Sequence, residues 1–390
     1  MKTFFVAVAL AELVMLLALY LSGKAHVLAG AGRPYQRPAM LPGEPRAAMI
    51  IAVTGDSPAM RAGLASLLAQ DYPNLRYVLV TQDEIDIAVP FIRDLIGVRA
   101  DAVHLVSGRA STCGQKNHNL LAGVAHVGDE PEILIFCDSA HVARPDLARL
   151  LVEPLADGRA MLSGGYHRVE PLDERVPTLG MVNVNIALHS LQSIIPLPWG
   201  GAMAVGRKTF EEHGVARIWA ENIVDDFSLG PHLAKRGIRM RTVAEACLST
   251  PLSDVALGGF RDWLVRQLLY LKFCTPEIWL GSIAAVALFL APPLLAVLGL
   301  IGVFPERAFA WWLAGAAAYL AGLTAVGLAF RRLSPRKVRA WAWTKGFFAT
   351  LLMTAWCYFI TWPTFTMRWR GIAYRVTWGG RVVEVLHNDS

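Results

Sequence analysis

Charge is what this 390-residue chain most lacks: Asp, Glu, Lys and Arg together make up 17% of it, against 54% hydrophobic residues. That balance excludes an ordinary soluble enzyme, and part of the chain must sit in lipid. Cysteine is sparse and scattered. Cys113, Cys137, Cys247, Cys274 and Cys357 show no CxxC or other metal-ligand spacing, which argues against disulfides and zinc and for reduced thiols in a cytoplasmic setting. The glycine-containing polar loop 108–119 lacks Walker spacing, which removes a P-loop. No basic–aromatic motif accompanies the net charge of +6, so that charge is assigned to an anionic membrane face and not to nucleic acid.

The apolar residues are unevenly placed. Residues 3–21 are nearly uncharged, Glu12 excepted, and long enough to span, with Lys2 before them and Lys24, His26, Arg33, Arg37 and Arg46 after. The basic excess follows the helix, which puts the next segment in the cytoplasm. A cleaved signal peptide competes with this anchor, but the stretch is long for one and Lys24-Ala25-His26 offers no small-residue cleavage site. Residues 278–303, interrupted by Pro292-Pro293, and residues 308–330 are expected to span, joined by a tight hairpin at Pro305-Glu306-Arg307. A third apolar segment, 340–362, contains Lys345. If it spans, a tail rich in arginine (Arg368, Arg370, Arg375, Arg381) lies on the far side; otherwise it bends at the interface and returns the tail to the soluble domain.

Between these runs lies a segment that alternates charge and apolar character. Residues 47–53 read as a buried strand, 60–70 as a helix and 77–81 as a second strand, a β–α–β unit with parallel strands. The second strand ends at Asp83, with Asp86 close behind. A further apolar run, 133–137, ends at Asp138. Acids at parallel strand ends lie on the carboxyl edge of a sheet, where ligands bind, although each alone also fits a solvated turn. The polar loop 108–119 carries Lys116 just ahead of a helix expected over 120–125, a setting suited to an anionic group. Trp199-Gly200-Gly201 permits close backbone approach to a ligand or is simply a tight turn. Asp225 and Asp226 are expected in the first turn of a helix running to about residue 236, where acids also favour the helix dipole. Residues 181–198 read as an interfacial element. Residues 259–272 read as an amphipathic helix with Asp262 and Arg266 as an i,i+4 pair.

With these residues together, the chain resembles the ceramide glucosyltransferase family, membrane-embedded inverting glycosyltransferases with a GT-A domain, from about residue 47 to 385. The matching stretches are Gln82-Asp83, Lys116-Asn-His-Asn119, Cys137-Asp138-Ser139 with Arg144-Pro-Asp146, Gly200-Gly-Ala-Met203, Asp225-Asp226-Phe227 and the tail Met367–Arg375 with Gly379-Gly380. The resemblance implies an α/β nucleotide-sugar-binding domain with one N-terminal and two to three C-terminal transmembrane helices. It also implies transfer of a sugar, first glucose, from a UDP-sugar to a membrane lipid such as ceramide. Asp226 is then the base and Asp225 its partner. Asp83, Lys116, Asp138, Gly200, Gly201 and Arg266 serve the donor, and Trp199, Trp263 and Gln267 the acceptor or the interface.

Two positions depart from the family pattern. The Q/R-x-x-R-W signature falls on Trp263-Leu-Val-Arg266-Gln267, and Asp138-Ser-Ala140 keeps only the first acid of a D-x-D pair. Binding of Mg2+ or Mn2+ therefore rests on Asp138, with His141 as a further candidate ligand. The expected organisation is an anchor over 1–24, the GT-A domain over 25–258, an amphipathic interfacial helix over 259–276, transmembrane helices over 277–366 and a basic tail over 367–390. The expected location is an integral membrane protein, in the inner (plasma) membrane if bacterial, with the GT-A domain facing the cytoplasm. A hopanoid or diacylglycerol acceptor, a processive polysaccharide synthase and a noncatalytic scaffold remain as alternatives.

Overall fold

The computed structural model describes residues 1–30, 43–195, 197–304 and 308–387. Arg33 and Arg37, and the expected hairpin at 305–307, lie outside the described residues. After a first helix, α1 (Lys2–Ala29), the chain alternates β1 (Ala47–Ala52), α2 (Pro58–Leu67), β2 (Leu75–Thr81), α3 (Val89–Ile96), β3 (Ala102–Val106), α4 (Gln115–Val127), β4 (Ile133–Asp138), α5 (Leu147–Ala156), β5 (Leu162–Pro171) and α6 (Val176–Gln192). Then come β6 (Ala202–Gly206), the short helices α7 (Arg207–Glu212), α8 (Val215–Trp219) and α9 (Leu229–Lys235), and β7 (Met240–Leu252). The C-terminal third holds α10 (Leu257–Cys274), α11 (Pro276–Gly281), α12 (Ile283–Leu300), α13 (Phe309–Arg331), α14 (Ala340–Thr361), β8 (Thr366–Trp369), β9 (Ile372–Val376) and β10 (Val382–His387).

Seven strands form one sheet in the order β3-β2-β1-β4-β6-β5-β7. The run Met49-Ile50-Ile51 is fully buried, as is Leu134-Ile135-Phe136, because both faces of the sheet are covered. Leu64, Ile92 and Leu147 pack on one face, and Leu120, Phe210 and Trp219 on the other. β1 is parallel to both β2 and β4, and Ala52 is level with Val80 and Asp138. β6 runs antiparallel to β4 with Ala202 opposite Cys137, so the turn that precedes β6 opens onto the edge where Asp138 ends. Register alone thus gathers the loop after β2, the end of β4 and the turn before β6 at one edge.

Among the described residues, three helices are long and apolar enough to cross a membrane: α1, the run from α11 through α12, and α13. They pack on one another. Phe5 lies edge-on to Trp311 and Trp312, Tyr20 lies against Phe330, and buried Glu12 accepts the Tyr319 hydroxyl at 2.8 Å. The amino end of α1 therefore sits beside the first turn of α13, while its carboxyl end approaches the sheet: a Cβ at Gly30 would meet Cys247 on β7 at 3.2 Å.

The third apolar segment behaves differently. At its start Arg339 is hydrogen-bonded to Glu174 beside β5. In the middle Thr350 donates to Gly180 O of α6 at 3.2 Å, and at its end the carbonyls of Thr361 and Trp362 accept from Lys272 of α10. Both ends of α14 therefore meet the domain side, so two of the expected two to three C-terminal helices stand as candidates to cross. The tail returns to the domain. Small residues make this possible, since a Cβ at Gly346 would come within 2.6 Å of Leu179. The segment expected to be an interfacial element is α6, a helix buried between α1 and α14, with Asn183, Asn185 and His189 among its buried residues.

Candidate active site

The site forms around Lys116. Its Nζ lies 2.7 Å from Asp138 Oδ1, 3.0 Å from Asp225 Oδ2 and 3.0 Å from Gly200 O, with 16% of the side chain exposed. Lys116 was expected in a loop, yet α4 already starts at Gln115. Asn and His are weak helix formers, but here the amides are taken up by backbone groups of neighbouring loops instead of competing with their own helix. Gln115 accepts from Ala110 N and donates to Gly108 O, Asn117 donates to Trp219 O and Asn222 O, and Asn119 donates to Val80 O.

Asp225 and Asp226 were expected inside the first turn of a helix. They lie instead in the turn before α9, whose first residue is Leu229, and Asp226 O accepts the N–H of Leu229 and Gly230. The side chains hold the turn out of helical form: Asp226 Oδ1 accepts from Phe227 N at 2.6 Å and Oδ2 from Gly200 N at 2.9 Å. Asp225, 1% exposed, faces Lys116. Gly200 has no room for a side chain, since a Cβ there would lie 2.2 Å from Asp225 Oδ2. Gly201 is equally constrained, by the indole of Trp199 at 2.1 Å.

These four charged groups set one another's ionisation. Burial opposes the charged form of Lys116, but Asp138, Asp225 and Asp226 outweigh it and hold the ammonium protonated. Burial likewise works against the Asp138 carboxylate, and Lys116 with His141 overcomes it, holding the group well below the usual carboxylate range. The other two acids shift the opposite way. Burial raises Asp225, opposed by Lys116 and reinforced by Asp138. Burial and then Asp225 push Asp226 up to about 7, against the pull of Lys116 and of two backbone N–H groups.

The remaining expected residues divide. Asp83 lies half-exposed at the end of β2 and receives the Gln82 amide at 3.1 Å, whereas Asp86 braces the loop after β1 by accepting from Thr54 Oγ1, Gly55 N and Ala88 N. Trp199 stacks on His167, with centroids 4.7 Å apart and planes 6° apart. Trp263, Arg266 and Gln267 lie on α10, none of them bonded to the Lys116 cluster among the described residues. The expected Asp262–Arg266 pair does not form: Asp262 pairs with Arg261, and Arg266 lies over the Trp369 ring at 5.9 Å because β8 packs beside it.

What the sequence reading missed is how the tail closes the site. Tyr374 OH accepts the Gln115 N–H at 3.3 Å, Gly380 O accepts from Ile223 N, and Val382 N donates to Glu221 O. Arg370 and Gly371 have φ of 51° and 79°, the left-handed pair of a two-residue hairpin turn, and a Cβ at Gly55 would be 3.2 Å from the Arg370 guanidinium. The signal available was Arg370-Gly371 between two alternating apolar runs.

A parallel-dominated sheet with acids and a lysine on its carboxyl edge, set on membrane helices, defines a GT-A-like glycosyltransferase fold. A mannosyltransferase from Pyrobaculum calidifontis, solved with GDP-Man and Mn2+, superposes with a TM-score of 0.54 at 19% identity, over 93% of this chain and 99% of its own. GalNAc-T7, solved with UDP, GalNAc and Mn2+, gives 0.40 at 11% identity over 60% of this chain and 49% of its own. Glucosyl-3-phosphoglycerate synthase from Mycobacterium tuberculosis, with phosphoglyceric acid, gives 0.36 at 15% identity over 60% and 86%. No curated protein matches the chain. The chain belongs to glycosyl transferase family 21, whose family model matches residues 5–382; this is the ceramide glucosyltransferase family of the resemblance drawn from its motifs.

Proposed function

We propose that the protein transfers a sugar, glucose first, from a UDP-sugar to the hydroxyl of a membrane lipid such as ceramide, with inversion. The observation that carries this reading is the cluster of Lys116, Asp138, Asp225 and Asp226, set on a sheet edge beside the layer formed by α6, α10 and α14. An amphiphile can keep its tails in lipid there while its hydroxyl reaches the acids. The expected setting is the inner (plasma) membrane if the source is bacterial, with the sheet on the cytoplasmic face, as the basic residues after α1 suggest.

Asp226 is the base. Its raised affinity for a proton suits it to accept one from the acceptor hydroxyl near neutral pH, and the Gly200 and Phe227 N–H groups fix its orientation. Asp225 keeps that affinity high and holds Lys116 in place. Lys116 supplies positive charge to the departing diphosphate, and Asp83 addresses the uridine or ribose. With Asp226 as base and the Asp138 and Asp225 carboxylates turned onto Lys116, the reading is a single displacement.

Asp138 fits a divalent cation: 36% of its side chain is exposed, and its Oδ2 faces His141 Nε2 no closer than 3.8 Å. Mg2+ and Mn2+ need only one or two carboxylates when phosphate oxygens and water complete the shell. Such an ion, held by Asp138, would act as Lewis acid on the leaving group. The mannosyltransferase solved with GDP-Man and Mn2+ supports a nucleotide-sugar and metal pairing.

The test is turnover of a panel of UDP-sugars and lipid acceptors by protein in bilayers, beside Asp138→Asn and Asp226→Asn. We expect a single-sugar lipid product and a loss of about 10²–10⁴-fold in Asp226→Asn. Full activity in that variant removes the base assignment, and a polymeric product replaces the lipid reading with a polysaccharide synthase.

A further inference from the structure

We propose that His141 is a positioning residue for Asp138, its ring proton aimed at that carboxylate by a hydrogen-bond chain that begins on the membrane-side helix α6. The chain is anchored at Asn185, which is 3% exposed. Its Oδ1 accepts Val169 N at 3.4 Å, which turns its Nδ2 toward His167 Nε2 at 3.0 Å. An amide nitrogen only donates, so His167 Nε2 accepts. Burial keeps His167 neutral, and its one ring proton is then on Nδ1, 2.8 Å from Thr250 Oγ1. The Thr250 hydroxyl has one proton of its own to give, and it goes to His141 Nδ1 at 2.8 Å. His141 Nδ1 therefore accepts, which leaves the proton of a neutral ring on Nε2, 3.8 Å from Asp138 Oδ2.

The rings are held in this order by packing. His141 and His167 have centroids 4.7 Å apart, and Trp199 covers His167 on a parallel plane. Such a chain fixes a tautomer as the outer partner of a metal-bound histidine does, but with the opposite result. The Nε2 lone pair that a cation would need carries a proton. His141 is thus not a ligand in this arrangement; it steadies Asp138 from the Oδ2 side while Lys116 holds Oδ1.

This inference rests on Asp138 being the donor-side carboxylate, but its first test needs no turnover. Full-length protein labelled with ring-15N histidine, in phospholipid nanodiscs, is examined by long-range 1H–15N spectra, with the His141 signals assigned by His141→Gln. The wild type is expected to show His141 protonated on Nε2. In Thr250→Val a population protonated on Nδ1 is expected to emerge, with turnover reduced by about 10-fold; Thr250→Ser is expected to restore both. Wild-type His141 protonated on Nδ1 overturns the proposal, as does an unchanged tautomer in Thr250→Val. Lack of turnover in a wild type with the expected tautomer counts against the transferase reading alone.

Discussion

Two lysines, Lys116 and Lys272, lie largely out of solvent, and they are stabilised in opposite ways. Lys116 sits among carboxylates on the sheet edge, and its charge is held on by Asp138 and Asp225. Lys272, 1% exposed on α10, meets no carboxylate among the described residues. Its Nζ donates to the carbonyls of Thr361, Trp362 and Thr364 at 2.7, 2.9 and 2.9 Å, and Phe365 lies 4.1 Å away. These carbonyls lie at the carboxyl end of α14, where orphan acceptors and the helix dipole both favour a cation. Burial lowers the proton affinity of Lys272 with no acid to offset it. On the proposed function the first lysine would exchange its partners for a diphosphate; the second ties α14 and the tail to α10.

That difference predicts which property each substitution disturbs. Lys116→Met should cut turnover by about 10²–10³-fold, because the departing diphosphate loses a fixed cation, while the protein stays folded as Asp225 takes up a proton. Thermal unfolding in lipid beside steady-state rates checks this, and a fall in both would mean that Lys116 is structural. Lys272→Met should do the reverse. Leaving the α14 carbonyls without donors should cost about 3 kcal/mol of unfolding free energy, with the rate per folded molecule nearly unchanged. A large loss of turnover at full stability would erase the contrast.

Smaller, and confined to the sheet edge, is a pH effect. In the proposed mechanism Asp226 must be ionised to act as base, so turnover should rise as pH passes about 7 and then level off. The fold has the opposite preference. Because the folded state binds this proton more tightly than the unfolded chain, the associated stability is complete below the unfolded carboxylate value and is lost as pH climbs through about 7. Rates and unfolding midpoints measured between pH 5 and 9 should therefore move in opposite directions. Asp226→Asn should flatten this contribution to the unfolding profile.

The contrast also shows what a sequence carries. Strands β1, β2 and β4 were legible because unbroken apolar runs ending near Asp83 and Asp138 have few other uses. Lys116 was singled out for its residue type, but the start of its helix was not legible: Gln115, Asn117 and Asn119 look like loop residues until their amides find partners from distant segments. The adjacent acids were legible as a pair. That Asp225 faces Lys116 while Asp226 is held by backbone N–H groups depends on a turn that local pattern does not dictate. Segment 340–362 had the length of a span, yet its course is set by Gly346 against α6 and by Lys272 at its end. Lys272 itself looked like the last polar residue of an amphipathic helix. Long-range partners decide such positions, and no neighbour in sequence reports them.

The most direct measurement of the central claim uses purified wild-type protein in bilayers containing ceramide, supplied with radiolabelled UDP-glucose and Mg2+ or Mn2+. The account predicts a single-sugar glycolipid whose anomeric configuration is opposite to that of the donor. A glycolipid that retains the donor configuration would contradict the single displacement at Asp226, and no glycolipid with any UDP-sugar and lipid hydroxyl in the panel would contradict the transferase site itself.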